Sequence, residues 1–172
     1  MAEKEKGEKI WTVEVKNEKS FLKGKAKIFE FSDYTKQEID NLVLHMRQMM
    51  VAHHGVGLAA PQIGINARVF VAQEPSKDGL SYQGKFYAVF NPKVESISKK
   101  LIPDQEGCLS VPGYYGTVER ADKITVSGWD KNKRPVKIKA EGYLARIFQH
   151  EIDHLNGTLF IDKSKDVKKI EA

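Results

Sequence analysis

The spacing of apolar residues changes period twice along the chain. Through "TKQEIDNLVLHMRQMMVAHH", Ile39, Leu42, Val43, Met46, Met49 and Met50 recur at steps of three and four. That stripe is one face of an amphipathic helix, with Ser32 or Asp33 expected at its start. From "ARVFVAQ" onward the texture changes. "KFYAVFNPKVESISKK", "YYGTVER", "KITVSGWD" and "RPVKIKA" are short stretches rich in branched and aromatic residues, with "DKNKRP" as a polar hairpin turn. They read as strands, and the alternating "IWTVEV" near the start is expected to be another. "EGYLARIFQHEIDHL" restores the helical step, and Gly157 suits its C-terminal stop. Helix, consecutive strands, helix predicts an α+β fold. Antiparallel β-sheets should pack around the C-terminal helix in a single domain over residues 1–172, with a longer helix near the N-terminus and residues 1–9 as a frayed tail.

Composition narrows the setting. A chain of 172 residues buries roughly two thirds of its unfolded surface and needs no disulfide or metal merely to fold. Apolar residues are 41% and charged residues 30%, and no apolar run approaches the roughly 20 residues that span a bilayer. The start, "MAEKEKGEKI", lacks the apolar segment of a secretory signal, and its glutamates argue against a transit peptide. Cytoplasmic residence without a membrane partner is expected. The net charge of +5 comes from lysines interleaved with glutamates, with no alternating aromatics. That pattern favours a solvated surface over specific nucleic-acid binding, while leaving room for contact with the ribosome surface. The lone cysteine, Cys108, excludes an internal disulfide and fits a reducing compartment.

The chemistry concentrates in "QHEIDHLNG". On a helix, His154 lies about 40° around the axis from His150, and Glu151 about 100°. Two imidazoles one turn apart can meet one cation, and the glutamate between them reaches its remaining position. A catalytic site needs about three protein ligands. The downstream histidine of the longer zinc-protease motif would fall at position 160, which is Phe160. The third ligand must therefore come from upstream: Cys108, His45, His53, His54 or a carboxylate. His45 falls within the apolar pattern of the first helix, and His53 and His54 sit at its exit. Cys108, in "DQEGCLSVPG", is favoured because a thiolate is a strong ligand for zinc or ferrous iron. "GVGLAAPQIG" adds a glycine-rich loop that another backbone can approach closely.

In this order, "GVGLAAPQIG", "EGCLS" and "QHEIDHLNG" resemble the three signature motifs of peptide deformylase. The resemblance runs over roughly residues 20–162. It implies a hydrolase that removes the N-formyl group from N-formylmethionine of newly synthesised polypeptides, releasing formate, and that is not a peptide-bond protease. It further implies Cys108, His150 and His154 as metal ligands, Glu151 as the acid–base and Gln62 as the glutamine of the first motif. Ferrous iron is the metal it implies, with zinc, nickel or cobalt able to occupy the same site.

The reaction needs a group to take a proton from a cation-activated water, and Glu151 is placed for it. Donors must also meet the negative charge growing on the former carbonyl oxygen. Gln62 and the backbone N–H of Leu109 are the candidates, although Gln62 could equally be an ordinary loop residue. Tyr143 and Ile147 share the face of His150 and, with Val56, suit an apolar slot for a methionine side chain. Core packing would explain each of them as well. Arg146 is expected at the rim of that slot, and the backbone of Val56 and Gly57 could pair with an extended peptide. A monomer is expected. Two other readings stand beside this one: an endopeptidase of the wider His-Glu-x-x-His group, and a small RNA-docking module whose metal is structural.

Overall fold

The computed structural model describes residues 9–74, 76, 82 and 84–170. The expected frayed tail therefore lies almost wholly outside the described residues. Among the described residues, four α-helices, α1 (Lys16–Leu22), α2 (Lys36–Ala52), α3 (Gly142–Leu155) and α4 (Phe160–Lys163), accompany eight strands. The strands are β1 (Gly57–Ala59), β2 (Val69–Gln73), β3 (Phe86–Ile97), β4 (Leu101–Cys108), β5 (Val111–Ala121), β6 (Lys123–Trp129), β7 (Pro135–Glu141) and β8 (Lys168–Lys169). All pairings are antiparallel. One sheet has the order β1-β2-β3-β6-β7 and the other β4-β5-β8. The α+β architecture is as expected.

Helix α3 lies in the main core. Leu144, Ala145, Phe148, Ile152 and Leu155 pack with Phe70, Val89, Ile124 and Val126 of the five-stranded sheet. The Phe148 ring stands edge-on to Phe70 at 5.1 Å and to Tyr87 at 5.2 Å. Such aromatic pairs add about 0.5–1.5 kcal/mol each beyond area burial. Helix α2 buries Ile39, Val43, Met46 and Met50 against Leu58, Ile63, Val71 and Phe90. The stripe read from the sequence is thus the buried face, with His45 half-buried beside it. Where α3 ends, Gly157 has φ of +76°, and a β-carbon there would overlap the carbonyl of Lys23 just after α1. Glycine serves both the left-handed turn and the close approach.

Two local expectations fail, and one strand lies outside the expected stretches. "IWTVEV" is no strand, because Trp11 N–H donates to the Gln62 carbonyl at 2.7 Å and Val13 N–H to the Ser110 carbonyl at 2.9 Å. These bonds tie the segment to two separate loops, so no ladder forms, and α1 begins at Lys16. Helix α2 starts neither at Ser32 nor at Asp33. Its cap is Thr35, whose hydroxyl accepts from Glu38 N–H at 3.2 Å while Glu38 accepts from Thr35 N–H at 2.7 Å. Strand β4 was not foreseen: "LIPDQEGC" carries a proline and acids, tolerable because most of this strand is exposed at a sheet edge.

Candidate metal centre and its cleft

Helix α3 carries His150 and His154 with their Nε2 atoms facing at 3.2 Å. Pairing of β4 with β5 shifts register between Gly107 and Cys108, and the irregular turn brings Cys108 Sγ to 3.1 Å from His154 Nε2. The three donor atoms lie within 4.8 Å of one another, and no other such three-residue group occurs among the described residues. His53 and His54 border the cleft but lie outside this cluster.

The donor set fits one ion. Ligand atoms of a tetrahedral site with bonds of about 2.0–2.3 Å stand about 3.3–3.5 Å apart, close to the two separations above. His150 Nδ1 is engaged by Glu106 Oε2 at 2.9 Å, leaving Nε2 to face the cluster. His154 Nδ1 is buried and finds no hydrogen-bond partner among the described residues. The two rings differ in the charge they carry. Burial opposes a proton on His150, but Cys108 and Glu106 outweigh it and raise its pKa. Burial, followed by the charge on His150, keeps His154 neutral by pushing its pKa well below the usual range. A cation would satisfy both rings at once.

Glu151 is 4% exposed, and its Oε2 has no hydrogen-bond partner among the described residues. Burial pushes its carboxyl up to about 7, against the pull of a positive His150. A group poised near neutrality can both accept and return a proton. Gln62 is 2% exposed and sits in a short 3₁₀ turn held by Pro61. Its Oε1 accepts from Ala59 N–H at 2.8 Å, which points Nε2 toward Ser110 Oγ at 3.3 Å and Cys108 Sγ at 3.7 Å. The amide thus presents its N–H side to the cluster. Leu109 follows the thiol in the same cleft wall.

The cluster opens onto a cleft of about 580 Å³, and Val56, Gly57, Tyr143 and Ile147 all line it. The expectation for Arg146 needs correction. It lines the cleft, but at 7% exposure it is no open rim charge, and its guanidinium turns inward onto Glu106 at 2.7 Å. Glu106 is the functional residue that motif reading passed over. It accepts from Arg120 Nε at 2.8 Å and Nη2 at 2.9 Å, and Arg120 Nη1 also donates to Asp153. Its signal in the sequence was faint: a carboxylate two residues from the cysteine, which only the folded register brings to His150.

A family description, polypeptide deformylase, matches residues 11–170. The chain belongs to the peptide deformylase family. It is a hydrolase that removes the N-formyl group from newly synthesised polypeptides, and its family is one of metalloenzymes. The peptide deformylase of Halothermothrix orenii is 48% identical over 143 residues, covering 83% of this chain and 86% of that relative. Among solved structures, a probable peptide deformylase from Synechococcus phage S-SSM7 aligns with TM-score 0.78 and 38% identity, covering 90% of this chain and 98% of that one. The Met-Ala-Ser-bound class I type b peptide deformylase of Acinetobacter baumannii aligns with TM-score 0.81 and 31% identity, over 90% and 96% of the two chains. No helix among the described residues is long and apolar enough to cross a membrane.

Proposed function

We propose that the chain, as one deformylase domain over residues 1–172, deformylates at a single divalent ion held by Cys108, His150 and His154. The observation that carries this reading is the convergence of one sulfur and two ring nitrogens beside a cleft lined by Glu151 and Gln62. When bound, the ion supplies a Lewis acid that brings the pKa of a coordinated water toward neutrality. Glu151 would take a proton from the attacking water as its oxygen joins the formyl carbon, and would pass it to the methionine amine as the C–N bond breaks and formate leaves. Gln62 Nε2–H and the Leu109 N–H donate to the formyl oxygen as it gains negative charge. Val56, Tyr143 and Ile147 hold the methionine side chain. Strand β1 is an edge of the five-stranded sheet, so Gly57 can extend pairing to the substrate peptide. The carbonyl of Val56 already accepts from Gln73 N–H at 2.9 Å, which leaves its N–H for that purpose.

The metal in this reading is ferrous iron. A thiolate with two imidazoles suits it and equally admits zinc, nickel or cobalt. The protein works as a cytoplasmic monomer on N-formylmethionyl nascent chains. A donor set complete within one chain supports the monomer, and exposed lysines on β7 and β8 support an approach to the ribosome surface. The test is release of formate from formyl-Met-Ala-Ser by protein purified without oxygen, together with elemental analysis. Formate with about one equivalent of iron is the expected result. Cleavage of an unformylated protein in place of formate release would reject the reading in favour of an endopeptidase.

A further inference from the structure

Arg146 has no part in the chemistry above, yet it is buried one helical turn before His150. Its Nη1 donates to Glu106 Oε1 at 2.7 Å and to the Val118 carbonyl at 2.9 Å, and its Nη2 donates to the Ile102 carbonyl at 2.5 Å. One guanidinium therefore ties α3 to β4, to β5 and to the carboxylate that holds His150. The charges around it are unevenly shared. Arg120 donates to both Glu106 and Asp153, and the other cation on Asp153, Lys163, is 42% exposed. Without Arg146, a single buried arginine would be divided between two carboxylates. Leaving two such acids underpaired in a low-dielectric interior is costly.

We propose that Arg146 is a positioning residue for the metal centre. By holding Glu106 Oε1 it fixes Glu106 Oε2 on His150 Nδ1, and so fixes the direction in which His150 Nε2 presents its lone pair. Glu106 receives four donors, two per oxygen: Arg120 and Arg146 on Oε1, Arg120 and His150 on Oε2. Removing Arg146 empties one side of Oε1 and takes a donor from two strand carbonyls, and the carboxylate then rotates toward Arg120 and away from the imidazole. Groups one step beyond a ligand set its orientation and basicity, and their loss typically costs about 10–100-fold in metal affinity or activity. The competing role is a plain brace for the three-stranded sheet, which would alter unfolding but not the ion's surroundings.

The inference rests on the ligand set proposed above, and the experiment separates the two. Zinc-loaded wild type, Arg146→Met, Arg146→Lys and His150→Ala are mixed with a chromogenic chelator to follow zinc release. The cobalt-loaded forms are compared by visible absorption. Arg146→Met is expected to release zinc about 10–100-fold faster than wild type. Its cobalt bands should shift, while its KM for formyl-Met-Ala-Ser stays within about twofold. Arg146→Lys keeps the charge but not the planar fork, so its release rate should fall between the two. This variant carries the test if Arg146→Met does not fold. A folded Arg146 variant with wild-type zinc release and cobalt spectrum would overturn the proposal, whatever its melting temperature. Equal zinc release by wild type and His150→Ala would overturn the ligand set itself, and this proposal with it.

Discussion

Glu151 stands so close over Gly57 that a β-carbon on the glycine would overlap its carboxylate. The proposed catalytic glutamate on α3 is thus positioned by the bare backbone of β1, and the glycine of the first motif is a spacer for the glutamate of the third. Gly57→Ala must push the carboxyl out of place. A misplacement of about 1 Å can cost on the order of 10²-fold in rate. Turnover of formyl-Met-Ala-Ser should fall by about that factor while zinc content, read by elemental analysis, stays near wild type. Unchanged turnover would show that Glu151 tolerates displacement and is not held by this contact.

Removing the proposed proton carrier itself is more severe. Glu151→Gln preserves shape and leaves Cys108, His150 and His154 in place, so the metal should be retained. General acid–base groups contribute about 10²–10⁴-fold, and kcat should drop by at least the lower figure. Near-normal kcat in this variant would remove Glu151 from its assigned role.

Acid stability follows from Glu106. Burial raises its pKa, but hydrogen bonds from Arg120 and then His150 outweigh this and hold the carboxyl well below its usual range. The folded pKa lies below the unfolded value of about 4.3, so the stabilisation is complete above that value and drains away as pH falls toward the folded one. Metal-free wild type should therefore lose urea resistance steeply below about pH 5. Glu106→Gln, less stable at neutral pH, should show a flatter acid limb. Parallel limbs for the two proteins would contradict the assignment.

The end of α3 gives a purely structural check. Gly157→Ala meets both a positive φ and the Lys23 carbonyl. Strain of this kind costs about 1–3 kcal/mol, and the urea midpoint should fall accordingly with little change in KM. A midpoint equal to wild type would mean that the α1–α3 junction yields easily.

Much of this arrangement was readable before the fold was known, and the reason is local. His150, Glu151 and His154 share one helix, so their geometry follows from its pitch. The apolar stripe of α2 and most strands announce themselves by period. Cys108 could be favoured only because the helix left its ligand set incomplete. What stayed hidden depends on contacts distant in sequence. Glu106 reaches His150 only because β4 pairs with β5, and Arg146 looks like a rim charge until two strand carbonyls and a carboxylate fold over it. "IWTVEV" misleads in the opposite direction, since its alternation is real but Gln62 and Ser110 claim its N–H groups. Thr35 and Glu38 form a cap whose signature lies in the sequence, yet the polar pair Ser32 and Asp33 just before it competes for the same reading.

The proposed centre holds a single ion by one sulfur and two imidazole nitrogens with a position left for water. X-ray absorption at the zinc edge of the loaded protein tests it most directly. One sulfur neighbour at about 2.3 Å and two imidazole nitrogens plus one oxygen at about 2.0–2.1 Å are expected. A spectrum without sulfur, or one fitted by four protein ligands and no water, would contradict it.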